Sequence, residues 1–194
     1  MKPLKIVIAD DSAVIRMDLK ELLREAGHEV VGETANGRRA VAITRDCRPD
    51  LVIMDIKMPD MDGIEAARLI AAESLAPVLL LTAFDDAALV ERAKDAGVLA
   101  YLVKPIEEKN LFPAIEIALS RWQEMKSLEE ELDKMRDSLE TRKLLDRAKG
   151  VLMQAHNIGE DEAYRRLQRY SMAKRRPLKD VAAAVVEAAR KKPK

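Results

Sequence analysis

Leu51-Val52-Ile53-Met54-Asp55-Ile56-Lys57-Met58-Pro59-Asp60-Met61-Asp62-Gly63 is the stretch on which the fold turns. Its first four residues are an unbroken apolar run, the pattern of a strand buried on both faces, as in a parallel sheet covered by helices. Asp55 ends the run, a polar turn follows, and Gly63 opens a helical pattern reaching Ala72. The same grammar recurs on both sides. Ile6-Val7-Ile8-Ala9, Val30-Val31, Val78-Leu79-Leu80-Leu81 and Ala100-Tyr101-Leu102-Val103 are the other strand candidates. Helical stripes lie between them. Val14, Ile15, Leu19, Leu22 and Leu23 share one face, with Gly27 past the end. Ala40, Val41, Ile43 and Thr44 begin a second; residues 86–96, closed by Gly97, and a helix from about Glu107 complete the set. This alternation predicts an α/β domain, a doubly wound five-stranded parallel sheet with right-handed crossovers.

Beyond this domain the pattern is helical only. From Leu111 to about Glu140 there is no glycine, and the only proline is Pro113. Met125, Leu128, Leu132, Met135 and Leu139 follow a 3-4-3-4 spacing, which is either a two-heptad coiled-coil seam or one apolar stripe on a long connecting helix. From Thr141 three helices are expected: one continuing to about His156, one near residues 161–172 and one near 178–189. The expected organisation is an α/β domain over 1–120, a helical linker over 121–140 and a small all-α three-helix domain over 141–194.

Composition narrows the function. In 194 residues the hydrophobic fraction is 48%, enough for a core, while aromatics make up only 3%, which disfavours surfaces built on stacked rings. The single cysteine, Cys47, excludes an intrachain disulfide framework and a cysteine-rich zinc site; the two histidines, His28 and His156, disfavour a histidine-ligated metal. No run of about 18 apolar residues is present. Met1-Lys2-Pro3-Leu4 leads directly into a strand pattern, so no signal peptide, no membrane partner and a cytoplasmic location are expected. The formal net charge of zero conceals an asymmetry: residues 1–120 carry 15 Lys and Arg against 21 Asp and Glu, and residues 141–194 carry 15 against 6. An acidic front half could hold a cation, and a basic tail could approach a polyanion.

In an open parallel sheet, ligands bind beyond the carboxyl ends of the strands. The residues just past the strand candidates are Asp10 and Asp11, Asp55, Thr82, and Lys104-Pro105. Three carboxylates, a hydroxyl and an ammonium would meet at one rim. Each alone has an ordinary explanation: a helix cap, a turn, a packed strand end, a loop. Together they suit Mg²⁺, which takes hard oxygen ligands and keeps waters. One carboxylate can act as nucleophile toward a phosphoryl group, and the lysine and hydroxyl can bind the transferred oxygens.

These motifs resemble the receiver domain of two-component response regulators, over about residues 4–120. The carriers are Ile6 to Asp11, Asp55 to Gly63, Leu81-Thr82-Ala83 and Tyr101 to Pro105. The resemblance implies a flavodoxin-like fold with Asp55 as phosphoacceptor, loaded by a sensor histidine kinase. It implies an Mg²⁺ site at Asp11, Asp55 and the backbone carbonyl of Lys57, with Asp10 acting mainly through water. Lys104 and Thr82 would bind the phosphoryl group, Tyr101 would be the aromatic switch, and Lys104-Pro105 a cis peptide. A protein of this kind is a phosphoacceptor rather than an enzyme, apart from self-catalysed phosphoryl transfer and slow autodephosphorylation.

The tail carries a second, less specific resemblance. Arg142, Ala148-Lys149-Gly150-Val151-Leu152-Met153, Glu162-Ala163-Tyr164, Leu167, Ser171-Met172-Ala173 and Leu178 to Ala182 look like the ANTAR domain, an RNA-binding antitermination module. This implies RNA hairpins in nascent transcripts as partners, with Arg142, Lys149, Arg165, Arg169, Lys174, Arg175 and Arg176 as candidate contacts. From composition alone the charges fit a solvated face equally well. A homodimer formed on phosphorylation or RNA binding would suit paired hairpins. Two other classes compete. Three short basic helices also permit a DNA-binding helix-turn-helix output, although no clear Gly-containing turn separates a support from a recognition helix. A Mg²⁺-dependent hydrolase would need a general acid or base near Asp55, and only Asp10 is available.

Overall fold

Strands β1 (Lys5–Ala9), β2 (Glu29–Thr34), β3 (Leu51–Asp55), β4 (Val78–Thr82) and β5 (Ala100–Val103) form one parallel sheet in the order β2-β1-β3-β4-β5. A computed structural model of the chain describes residues 2–83 and 96–190. The helices are α1 (Ala13–Glu25), α2 (Gly37–Cys47), α3 (Gly63–Ala72), α4 (Glu108–His156), α5 (Glu160–Lys174) and α6 (Leu178–Arg190). The helix expected over residues 86–96 lies outside the described residues except for Ala96, which is buried. The chain divides into two compact units, residues 1–126 and residues 127–194.

The period of two along each strand sorts the core into two layers. Val7, Ala9, Val52, Met54 and Leu80 pack with Ala40 and Val41 of α2 and Ile64, Ala67 and Ile70 of α3. Ile6, Ile8, Leu51, Ile53, Leu79 and Leu81 face the other way, onto Leu19 and Leu23 of α1 and Leu111, Ile115 and Ala118 of α4. Both faces of the central strands are therefore covered, which is why β3 and β4 are buried at every position.

Two elements exceed their sequence outlines for physical reasons. β2 covers six residues, not just Val30-Val31, because an edge strand bonded to β1 alone needs no continuous apolar run, and its register slips between Ile6 and Val7. α2 begins at Gly37, three residues before its apolar stripe, because the Asn36 side chain caps it by accepting from the Arg39 N–H at 2.8 Å.

α4 is one helix of 49 residues with Pro113 in its second turn. The expected linker, residues 121–140, lies wholly inside it. Leu128, Leu132, Met135 and Leu139 are each more than half exposed. In the first unit, Trp122 of α4 lines a cavity of about 460 Å³ with Leu4, Pro49, Leu75, Pro77 and Leu119, at the amino ends of the strands. The Lys126 ammonium lies 5.0 Å from the Trp122 ring centroid.

In the second unit, the end of α4 packs with α5 and α6. Ala148, Leu167, Val181 and Ala182 form its buried core, with Leu144, Leu145, Leu152, Leu178 and Val185 around them. Lys149 ties α4 to α5, contacting Asp146 at 2.8 Å and Glu160 at 2.6 Å. Lys179 of α6 pairs with Asp137 and Glu140.

Candidate functional site

The sheet order turns back between β1 and β3, so the crevice beyond their carboxyl ends is the expected ligand site. Asp10 follows β1, Asp55 is the last residue of β3, Thr82 the last of β4, and Lys104 follows β5. Chain segments up to 94 residues apart are thereby brought into contact: Lys104 Nζ lies 2.8 Å from Asp10 Oδ2 and 2.6 Å from Asp55 Oδ1. Asp55 is 6% exposed and Asp10 fully buried. Lys104-Pro105 is a cis peptide.

Backbone donors fix both carboxylates. Asp55 Oδ2 accepts from the Lys57 N–H at 2.8 Å, and Asp10 Oδ1 accepts from the Ser12 N–H at 2.9 Å. Ser12 also caps α1, accepting from the Ile15 N–H, and Arg16 of α1 donates to the carbonyls of Asp10 and Asp11 at 2.7 and 3.3 Å. The β1–α1 turn is thus held by its own helix. Asp62 caps α3 by accepting from the Glu65 N–H at 2.7 Å, and Asn36 donates to Asp60 at 3.1 Å, fastening the loop that follows Asp55.

The electrostatics are those of one cation shared by two anions. Burial raises the Asp55 carboxyl above the usual carboxylate range, against the opposing pull of the Lys104 hydrogen bond and charge. Burial also works against the Lys104 ammonium, but its hydrogen bonds to Asp10 and Asp55 outweigh that and hold it above an ordinary lysine. Contact therefore prevails at the ammonium and burial at the Asp55 carboxyl.

Asp11, Asp55, Lys57, Thr82 and Lys104 line one cavity of about 200 Å³. Asp10 turns to Lys104 instead, and among the described residues no group of three or more acidic, histidine or cysteine side chains is arranged around a metal position. Two carboxylates are nevertheless enough for Mg²⁺, which is commonly bound by one or two carboxylates with waters in the remaining positions. Asp11, Asp55 and the backbone of Lys57 fit that ion. The Thr82 hydroxyl donates to the Ala83 carbonyl at 3.1 Å, and the Tyr101 side chain on β5 is half exposed.

Arg16, Asn36 and the buried pairing of Asp10 with Lys104 are absent from the motif-based site. The signal that could have pointed to Asn36 is the general capping preference of asparagine; the reach of Arg16 depends on the turn geometry.

In the second unit, Arg142, Arg165, Lys174, Arg175 and Arg176 are exposed. Lys149 and Arg169 are engaged within the fold, Lys149 as described and Arg169 with Glu162 at 3.0 Å. Arg175 closes α5 in a left-handed conformation.

Comparison with known proteins gives two family matches: the response regulator receiver domain over residues 6–116, and the ANTAR domain over residues 133–186. The transcriptional regulatory protein PdtaR of Mycobacterium tuberculosis is 51% identical over 185 residues, covering 95% of this chain and 90% of that one. Among solved structures, the signal receiver domain of the response regulator NarL from Mycobacterium tuberculosis superposes with a TM-score of 0.59 at 28% identity, over 62% of this chain and 98% of that one. The CheX–CheY–BeF3–Mg complex of Borrelia burgdorferi matches with a TM-score of 0.55 at 26% identity, over 58% of this chain and 87% of the matched one.

Proposed function

The chain belongs to the response regulators that join a receiver domain to an ANTAR domain, and on that premise we propose that Asp55 accepts a phosphoryl group from a sensor histidine kinase and that the second unit binds hairpins in nascent RNA to cause antitermination. The observation that carries this is the pair of contacts from Lys104 to Asp10 and Asp55 beside the cavity lined by Asp11, Lys57 and Thr82.

A carboxylate oxygen of Asp55 attacks the phosphorus, forming an acyl phosphate while the donor's bond to phosphorus breaks. Lys104, already at hydrogen-bond distance, neutralises charge on the incoming oxygens. The Lys57 N–H orients the carboxylate. Mg²⁺ would be held by Asp11, Asp55 and the Lys57 carbonyl and would supply charge neutralisation; the matched CheY complex contains this ion. Phosphorylation replaces roughly one negative charge by two and adds acceptor oxygens. Thr82 then exchanges its bond to Ala83 for one to the phosphoryl group, and Tyr101 turns from solvent into the space released. The exposed stripe on α4 pairs with a second copy in the activated or RNA-bound state.

The test is RNA gel-shift with and without acetyl phosphate and Mg²⁺. Phosphorylation should tighten binding to a two-hairpin RNA over duplex DNA, and Asp55→Asn should abolish both the hydroxylamine-sensitive phosphate and the shift. Equal affinity in all four conditions would overturn the switch.

A further inference from the structure

Gly150 lies inside α4, within its last two turns, where glycine weakens a helix relative to alanine. Packing does not require it: a Cβ placed there meets no atom within 4 Å, and its backbone is part of the continuous helix. Lys143, Arg147, Gly150 and Gln154 follow one another at steps of four, three and four residues, so they share one stripe of α4. That stripe lies away from Ala148 and Leu152, which face the core of the second unit. Lys143, Arg147 and Gln154 are exposed. Asp146, the acid nearest to them on the helix, is taken by Lys149, and neither Lys143 nor Arg147 makes an ion pair with a described residue. A bare backbone flanked by two uncompensated cations and an amide is therefore presented outward, with no large apolar side chain of the kind a protein partner would cover.

We infer that this stripe receives the ribose–phosphate backbone of an RNA, with Gly150 allowing the strand to lie directly against the helix. The inference rests on the RNA-binding reading of the second unit and places a contact surface on it, centred on residues other than the candidate contacts named with the ANTAR resemblance. Lys143 and Arg147 neutralise phosphates, and Gln154 offers a donor to a phosphate or a 2′-hydroxyl.

Fluorescence anisotropy of a labelled two-hairpin RNA, titrated with the full chain over a range of salt concentrations, is the test. Gly150→Gln adds a good helix former, so thermal unfolding should show a protein at least as stable as the original, while RNA affinity should fall at least about tenfold. Lys143→Gln and Arg147→Gln should each lower the slope of log affinity against log salt by about one. Weaker affinity with intact stability and the reduced slopes supports the surface. Wild-type affinity in Gly150→Gln, or unchanged slopes in both cation variants, overturns it while leaving RNA binding standing. Failure of the original chain to bind RNA overturns the RNA reading itself, and this surface with it.

Discussion

Gly63 and Gly150 both lie in helices, for opposite reasons. A Cβ at Gly63 would fall 2.0 Å from the carbonyl oxygen of Asp55, so the start of α3 presses against the backbone of the proposed phosphoacceptor. Gly63→Ala must push that strand end aside and should cost about 1–3 kcal/mol or more of stability in urea unfolding, with loss of phosphorylation by acetyl phosphate. Gly150→Ala should instead stabilise by up to about 1 kcal/mol. His28 offers a second measurement. It is 6% exposed, its Nδ1 accepts from the Leu4 N–H at 3.3 Å, its Nε2 has no partner among the described residues, and burial lowers its pKa. The unfolded chain, with an ordinary imidazole, takes up a proton first as pH falls. Stability should therefore decline as pH drops below about 6.5 and level off once the buried ring protonates. Urea unfolding of the original chain and His28→Leu across this range should show the dependence weakened in the variant.

At the scale of elements, the strands and the residues closing them were legible because burial on both faces leaves unbroken apolar runs and each run ends in a polar residue. Asp55, Thr82 and Lys104 stood out for that reason. The extent of β2 was not legible, since Gly32, Glu33 and Thr34 carry no core signal at an edge. Nor was the pairing of Asp10, fully buried, with Lys104, because a contact across 94 residues is set by strand order, which hydrophobic patterning does not encode. The exposed stripe on α4 was legible as a heptad pattern and stands uncovered in the single chain. Leu132→Lys with Leu139→Lys should keep the phosphorylated, RNA-bound protein monomeric in sedimentation experiments and leave its melting unchanged, since both leucines are more than half exposed. An original chain that never self-associates would show that the stripe is not a pairing seam.

The whole molecule combines a large layered core with a small one. The first unit buries complete strands between helices, whereas the buried apolar residues of the second, among those described, are just Ala148, Ala163, Leu167, Val181 and Ala182. Small cores are marginal. Calorimetry should therefore resolve two transitions, with the second unit melting first. Leu167→Ala, removing the largest of these side chains, should cost about 2–5 kcal/mol and lower only the earlier transition. A single cooperative transition displaced as a whole would mean that the units unfold as one.

The chain contains one tryptophan, and it lines the cavity at the amino ends of the strands beneath an ammonium group. Its emission consequently speaks for one address. A shift in wavelength, lifetime or quenching on addition of acetyl phosphate would signal rearrangement at the rim opposite Asp55, with no dye attached and no residue changed.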